Sequence, residues 1–222
     1  MSADGAREAL LEVAADSTAA VRSQVYAMFA QALSFPQAEV GAALENGELY
    51  RGLAEAAGGL PYRYTFIGPP LMEGRDMGRV YTALFDAVAG KPRVSLLEQR
   101  YEGAPPEQQL WEELLRFYRY FGLDFSTGGA RERPDHLLVE LEFMHYLTFL
   151  EAGAGDGHPG LRRGQQDFLE RHLTRWLPAL RVALTEAGNA APYDVLVDAL
   201  VRFVGAEATY LGSLQAGPQP PL

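Results

Sequence analysis

The sequence has no cysteine. Disulfides, thiolate metal ligands, iron–sulfur ligation by cysteine and a cysteine nucleophile are therefore all excluded, and the chain suits a reducing compartment. Long uncharged apolar runs are also missing: no window approaches the roughly 20 residues needed to cross a bilayer. The opening segment MSADGAREALLEVAADSTAAVRSQ sets Glu8, Glu12 and Asp16 among its apolar positions, so it lacks the basic start and unbroken apolar stretch of a secretory signal. A soluble, cytoplasmic protein is expected. Positive charge is the third shortage. Nineteen Lys plus Arg stand against 29 Asp plus Glu, a formal charge of −10. Such a body repels phosphate backbones and anionic lipid, and no concentrated basic face stands out to offset it. A cationic peptide is the better-matched charged partner.

What is present is helical periodicity. Hydrophobic residues make up 48% of the chain, and they recur at threes and fours almost throughout. The spacing predicts helices over about 7–33, 36–44, 48–57, 79–89, 105–121, 134–152, 161–187 with an interruption at Pro178, and 193–214. The expected fold is all-α, a single globular bundle of about seven to nine helices spanning 1–215, with a flexible tail at 216–222. Helix 134–152 is apolar around nearly its whole circumference and is expected at the centre. The glycine-bearing connection 123–133 is longer than packed helices need and is a candidate hinge. In LPYRYTFIGPPLMEGRDMG, Tyr62, Tyr64 and Phe66 alternate at a period of two between prolines. That pattern predicts an extended segment laid over the helices. It serves either as a cover for the core or as one wall of a peptide groove.

The chemical candidates are few. Glu142-Phe143-Met144-His145 has the Glu-x-x-His spacing of di-iron helices, but His136, His158 and His172 supply no second copy. His145 is expected to make an ordinary hydrogen bond. No Gly-x-Ser-x-Gly elbow and no P-loop is present. An enzyme is not expected. That leaves the charged stretch Arg131-Glu132-Arg133-Pro134-Asp135-His136 before the apolar run LLVELEFMHYLTFLE. As structure, Pro134 and Asp135 suit a first helical turn, and His136 at the positive end of the helix dipole would stay neutral. Arg131 and Arg133 either pair with local glutamates or contact cofactor phosphates.

ERPDHLLVELEFMHYL is similar to the signature of redox-enzyme maturation chaperones of the TorD/DmsD/NarJ type. Three further segments agree in order: RSQVYAMFAQALSFP resembles the first helix, LEQRYEG an aromatic-Glu-Ser-x-Tyr-like segment, and FLERHLTRWLPAL a His-Leu-x-x-Trp-x-Pro helix. LWEELLRFYRYFGLDF looks most like the branch serving type II dimethyl-sulfoxide-reductase-like molybdoenzymes. The resemblance implies an all-helical TorD-like chaperone in the cytoplasm, monomeric or a domain-swapped dimer. It would bind the catalytic subunit of a molybdenum oxidoreductase, including its twin-arginine leader where there is one. It would hold that subunit competent for insertion of molybdopterin guanine dinucleotide before export, holding no cofactor stably and contacting the client's only in passing.

On that resemblance Asp135 and His136, with Glu132 and Pro134 beside them, are the recognition residues, and Glu98 and Tyr101 mark a neighbouring segment. A leader combines guanidinium groups with an apolar stretch, so it needs carboxylates beside an oily surface. Tyr62, Tyr64, Phe66 and Tyr101 could supply the latter. The alternatives are a helical di-iron or other metal enzyme, and an acidic protein-interaction scaffold.

Overall fold

The computed structural model describes residues 17–86, 91–124, 133–155 and 158–215. Among these residues nine α-helices follow one another: α1 Thr18–Leu33, α2 Ala38–Glu45, α3 Glu48–Gly58, α4 Met77–Phe85, α5 Glu107–Tyr120, α6 Leu137–Ala154, α7 Pro159–Arg171, α8 Leu173–Ala187 and α9 Tyr193–Gln215. One 3-10 turn, Glu98–Arg100, lies between α4 and α5. No strand occurs among the described residues, and their one β-bridge joins Leu97 to His136. The all-α expectation holds.

Helix α6, expected at the centre, is packed on most of its faces but not all: Glu142 and Phe149 are exposed. Leu137, Leu141, Met144 and Leu147 are wholly buried, each worth about 1.5–3 kcal/mol of hydrophobic transfer. Helix α1 runs antiparallel along it: Ser23 bonds His145, and Arg22 reaches Glu151 nearer the end of α6. Helices α8 and α9 form a hairpin whose turn passes through Gly188 and Asn189, both at positive φ. Phe203 of α9 carries the core inward, with its ring 4.8 Å from Tyr26 and 5.6 Å from Phe29 of α1.

The segment around 62–66 is extended, as its alternation predicts. Tyr62, Tyr64 and Phe66 face inward between exposed Arg63, Thr65 and Ile67. The Tyr62 hydroxyl donates to Glu207, that of Tyr64 to the Ala199 carbonyl, and Phe66 meets the Phe29 ring edge-on.

Several boundaries differ from the sequence expectation. Helix α1 begins at Thr18, because Ser17 adopts an extended backbone and its hydroxyl accepts from the Ala20 N–H; residues 7–16 lie outside the described ones. Helix α4 starts earlier than 79, at Met77, because Asp76 caps it. It stops at Phe85, where Asp86 turns extended. Helix α6 begins three residues after Pro134, for reasons given below. The expected long helix 161–187 is two helices, and the break falls at His172, not Pro178. His172 leaves the helical region at φ −121°, ψ −90°, while Pro178 sits inside α8. The carbonyls freed by the break are recaptured: Thr174 Oγ1 donates to Leu169 O and Arg175 Nε to Glu170 O. The apolar periodicity runs straight through position 172, so spacing alone could not reveal the kink. Much of the candidate hinge 123–133 lies outside the described residues.

Candidate functional site: a buried knot beside an open groove

The charged entry to α6 is a knot of internal bonds. Asp135 is fully buried. Its Oδ1 accepts from Arg133 Nε at 3.0 Å and from Trp111 Nε1 at 3.0 Å, and its Oδ2 accepts from Arg133 Nη2 at 3.1 Å and from the Gln99 N–H at 3.4 Å. The Arg133 guanidinium lies over the Trp111 ring and also pairs with Glu107. Two backbone bonds, Glu98 N–H to Asp135 O and Leu137 N–H to Leu96 O, stitch the 96–98 segment to the helix entry. Tyr118 closes the turn from α5 by donating to Pro134 O. Arg133 thus pairs with local carboxylates, one of its two expected fates.

His136, not Pro134 or Asp135, caps the helix. Its Nδ1 accepts from the Leu138 N–H, which leaves the imidazole proton on Nε2. Burial lowers its pKa, with Arg133 adding to the effect and Asp135 opposing it. The expected neutrality follows from burial more than from the dipole.

One turn further in, the same knot holds a buried acid pair. Glu98 accepts from His172 Nδ1 at 3.0 Å, and Glu140 accepts from Trp176 Nε1 at 3.0 Å. Burial, then the neighbouring Glu98, pushes the Glu140 carboxyl well above the usual range. Glu140 Oε1 has no donor partner, and a proton on that oxygen resolves the deficit by making it a donor toward Glu98. Tyr101 stacks on Trp176 and donates to Ser95 O.

The predicted site residues therefore divide. Glu98, Tyr101, Pro134, Asp135 and His136 come together, while Tyr62, Tyr64 and Phe66 have their partners on α1 and α9. Glu132 lies outside the described residues. Asp135 has its lone pairs already engaged. Of the group, Glu98 and Tyr101 line a depression of about 220 Å³ with Arg171 and Arg175, while His136 opens onto a larger surface groove.

That groove, of about 600 Å³, is lined by Phe35, Tyr81, Asp86, His136, Leu138, Val139 and Glu142. Phe35 is 45% exposed and packs edge-on against Tyr81. The fold explains the convergence: the end of α1, the C-cap of α4 and the first two turns of α6 meet there. Val139 and Glu142 also line a second depression, of about 270 Å³, with Asp124 and Tyr146.

Sequence reasoning missed a second interior cluster. The fully buried Arg22 donates to Glu207 at 2.8 Å, to Glu151 at 2.9 Å and to Gln165. Burial alone would depress the Arg22 guanidinium, but Glu207 and Glu151 outweigh it and hold its pKa raised. The available signal was an arginine on the inward stripe of α1, between Val21 and Val25. The Glu-x-x-His pair forms no ligand set: His145 Nδ1 is bound to Ser23, and no three metal-capable side chains cluster among the described residues.

Residues 44–181 match the family model described as nitrate reductase delta subunit. The selenate reductase assembly chaperone protein of Thauera selenatis is 34% identical over 198 residues, covering 86% of this chain and 93% of the relative. The perchlorate reductase assembly chaperone protein of Dechloromonas aromatica (strain RCB) is 35% identical over 200 residues, 83% of this chain and 87% of the relative. The dimethyl sulfide dehydrogenase assembly chaperone protein of Rhodovulum sulfidophilum is 35% identical over 184 residues, 78% of this chain and 72% of the relative. No solved structure matches the chain significantly. The knot is thus made of the segments that carried the resemblance, and the chain belongs to the nitrate reductase delta subunit family, as an assembly chaperone and not a catalyst.

Proposed function

We propose that this protein is a system-specific cytoplasmic chaperone for the catalytic subunit of a molybdenum oxidoreductase of the type II branch. In this reading it grips a cationic, apolar client segment, the twin-arginine leader where the client has one, in the groove beside His136. It holds the subunit open until molybdopterin guanine dinucleotide is inserted, and then releases it for export. That cofactor is cargo for the client and not a resident group. No bond is made or broken by the chaperone.

The observation that carries this reading is the pairing of Asp86 and Glu142 around the apolar floor formed by Phe35, Tyr81, Leu138 and Val139. Carboxylates accept guanidinium donors in pairs, and a half-exposed phenylalanine offers the leader's apolar stretch a place to leave water. His136, kept neutral by burial, adds no repulsive charge to the groove at neutral pH. The −10 charge accelerates encounter with a cationic segment. Reductases and a dehydrogenase named as clients of the relatives support the client class. Among the described residues no helix is long and apolar enough to cross a membrane.

The test is titration calorimetry with a peptide carrying two adjacent arginines before an apolar stretch. Asp86→Asn combined with Glu142→Gln should weaken binding at least tenfold, about 1.4 kcal/mol. Unchanged affinity in that variant would remove the groove as the client site.

A further inference from the structure

Against the overall charge of −10, one cleft gathers three arginines. Arg116 comes from α5, and Arg163 and Arg171 from α7; Phe117, Tyr120, Phe121 and Gly164 complete the wall, enclosing about 360 Å³. This local concentration is invisible in the sequence, where the same arginines alternate with glutamates along separate helices.

The arginines are not all employed by the fold. Arg171 pairs with Glu113 at 2.7 Å and lies over the Phe117 ring. Arg116 and Arg163 have neither an ion pair nor a hydrogen bond within the described residues. The one carboxylate of the lining, Asp167, stands four residues from both Arg163 and Arg171 and comes within ion-pair distance of neither. Beside these charges Tyr120 is 81% exposed, with its ring edge-on to Phe121. Phe121 in turn points the end of its ring at Gly164, where a Cβ would come 2.2 Å from its Cζ. A large aromatic left in water next to unpaired guanidiniums costs solvation and serves no internal packing.

We propose that this cleft is a docking site for an acidic protein segment that carries an aromatic or large apolar side chain. Carboxylates of the segment would pair with Arg116 and Arg163, and its ring would lie against Tyr120 and Phe121. A peptide suits the cleft better than a compact anion does. Small-ligand pockets enclose most of their ligand and aim a few polar groups inward. Here all three guanidiniums are exposed at the rim and the backing is aromatic, an arrangement that holds a chain laid across it. The site is distinct from the acidic groove, opposite in charge preference, and does not depend on the identity of the client.

The experiment uses the full chain and a fluorescein-labelled hexapeptide, Glu-Trp-Glu-Asp-Phe-Glu, read by fluorescence anisotropy. Saturable binding should weaken about tenfold or more in Arg116→Gln/Arg163→Gln, and less in Tyr120→Ser, with circular dichroism unchanged in both. A hexapeptide with lysine at every acidic position should not compete. Binding that survives the arginine double substitution, or its absence in the unmodified chain, overturns the proposal. Phenyl phosphate competing as strongly as the unlabelled hexapeptide would also overturn it, by making the cleft a small-anion site.

Discussion

The knot around Asp135 and the groove beside it share His136, yet one buries its carboxylates and the other leaves them exposed. In the knot every carboxylate has an internal donor or a proton: Asp135 has Arg133, Trp111 and Gln99, Glu98 has His172, and Glu140 has Trp176. In the groove Asp86 and Glu142 stand at the rim of an apolar floor and face solvent. The difference teaches where to look for recognition in such a chain. The residues most distinctive in sequence, Pro-Asp-His and its companions, hold the frame. The groove is lined by an unremarkable phenylalanine, tyrosine, aspartate and glutamate brought together only by folding.

Substitutions separate the two kinds of region, and the largest effect belongs to the interior. Arg22→Met leaves the buried Glu207 without its counter-charge, and Glu151 with Arg162 alone, and should cost about 3–5 kcal/mol in urea unfolding. A loss under about 1 kcal/mol would mean that the cluster is far wetter than its burial implies. Next comes Asp135→Ala. It leaves Trp111 Nε1 without an acceptor and the Arg133 guanidinium with Glu107 alone, so a stability loss of about 1–3 kcal/mol is expected in the same assay. Loss of peptide affinity at full stability would instead return Asp135 to the recognition surface.

A third effect depends on pH. The folded chain keeps the Glu140 proton well above the pH at which the unfolded chain releases it, near 4.5. The native state therefore binds more protons than the unfolded one, and stability declines as pH rises above that value toward the raised folded pKa. Glu140→Gln should flatten this decline by up to about 1.4 kcal/mol per pH unit, measured by thermal unfolding across pH. Equal slopes in both proteins would show that the carboxyl is ionised after all. The smallest stability change is expected in the groove: Asp86→Asn with Glu142→Gln should stay within about 0.5 kcal/mol of the parent while losing peptide affinity. That contrast, if it inverted, would erase the distinction between frame and groove.

The helices were legible because apolar spacing at threes and fours is a direct image of one buried face; the long apolar run of α6 overstated its burial, since Phe149 and Glu142 stay exposed. The inward alternation of Tyr62, Tyr64 and Phe66 was legible for the same reason, through a period of two. Boundaries were less so. Ser17, Asp76 and His136 act as caps through side-chain acceptors whose effect depends on the local turn, and Asp135 looked like the better cap until Arg133 and Trp111 took its oxygens. The break at His172 left no trace in the local spacing, and the partner that His172 bonds there, Glu98, lies 74 residues away. The groove was least visible of all. Phe35, Asp86 and Glu142 come from three different helices or their ends, and no local pattern ties them together.

The ion pair between Arg22 and Glu207 joins positions 185 residues apart. During synthesis Arg22 emerges early, meets Glu151 and Gln165 only once α6 and α7 are made, and gains Glu207 only with α9. A nascent chain cut short before Glu207 has no means of burying that arginine in this way. The bundle can close around its charged centre only when α9 is present, so a half-made chaperone would be kept from presenting a finished surface to its client.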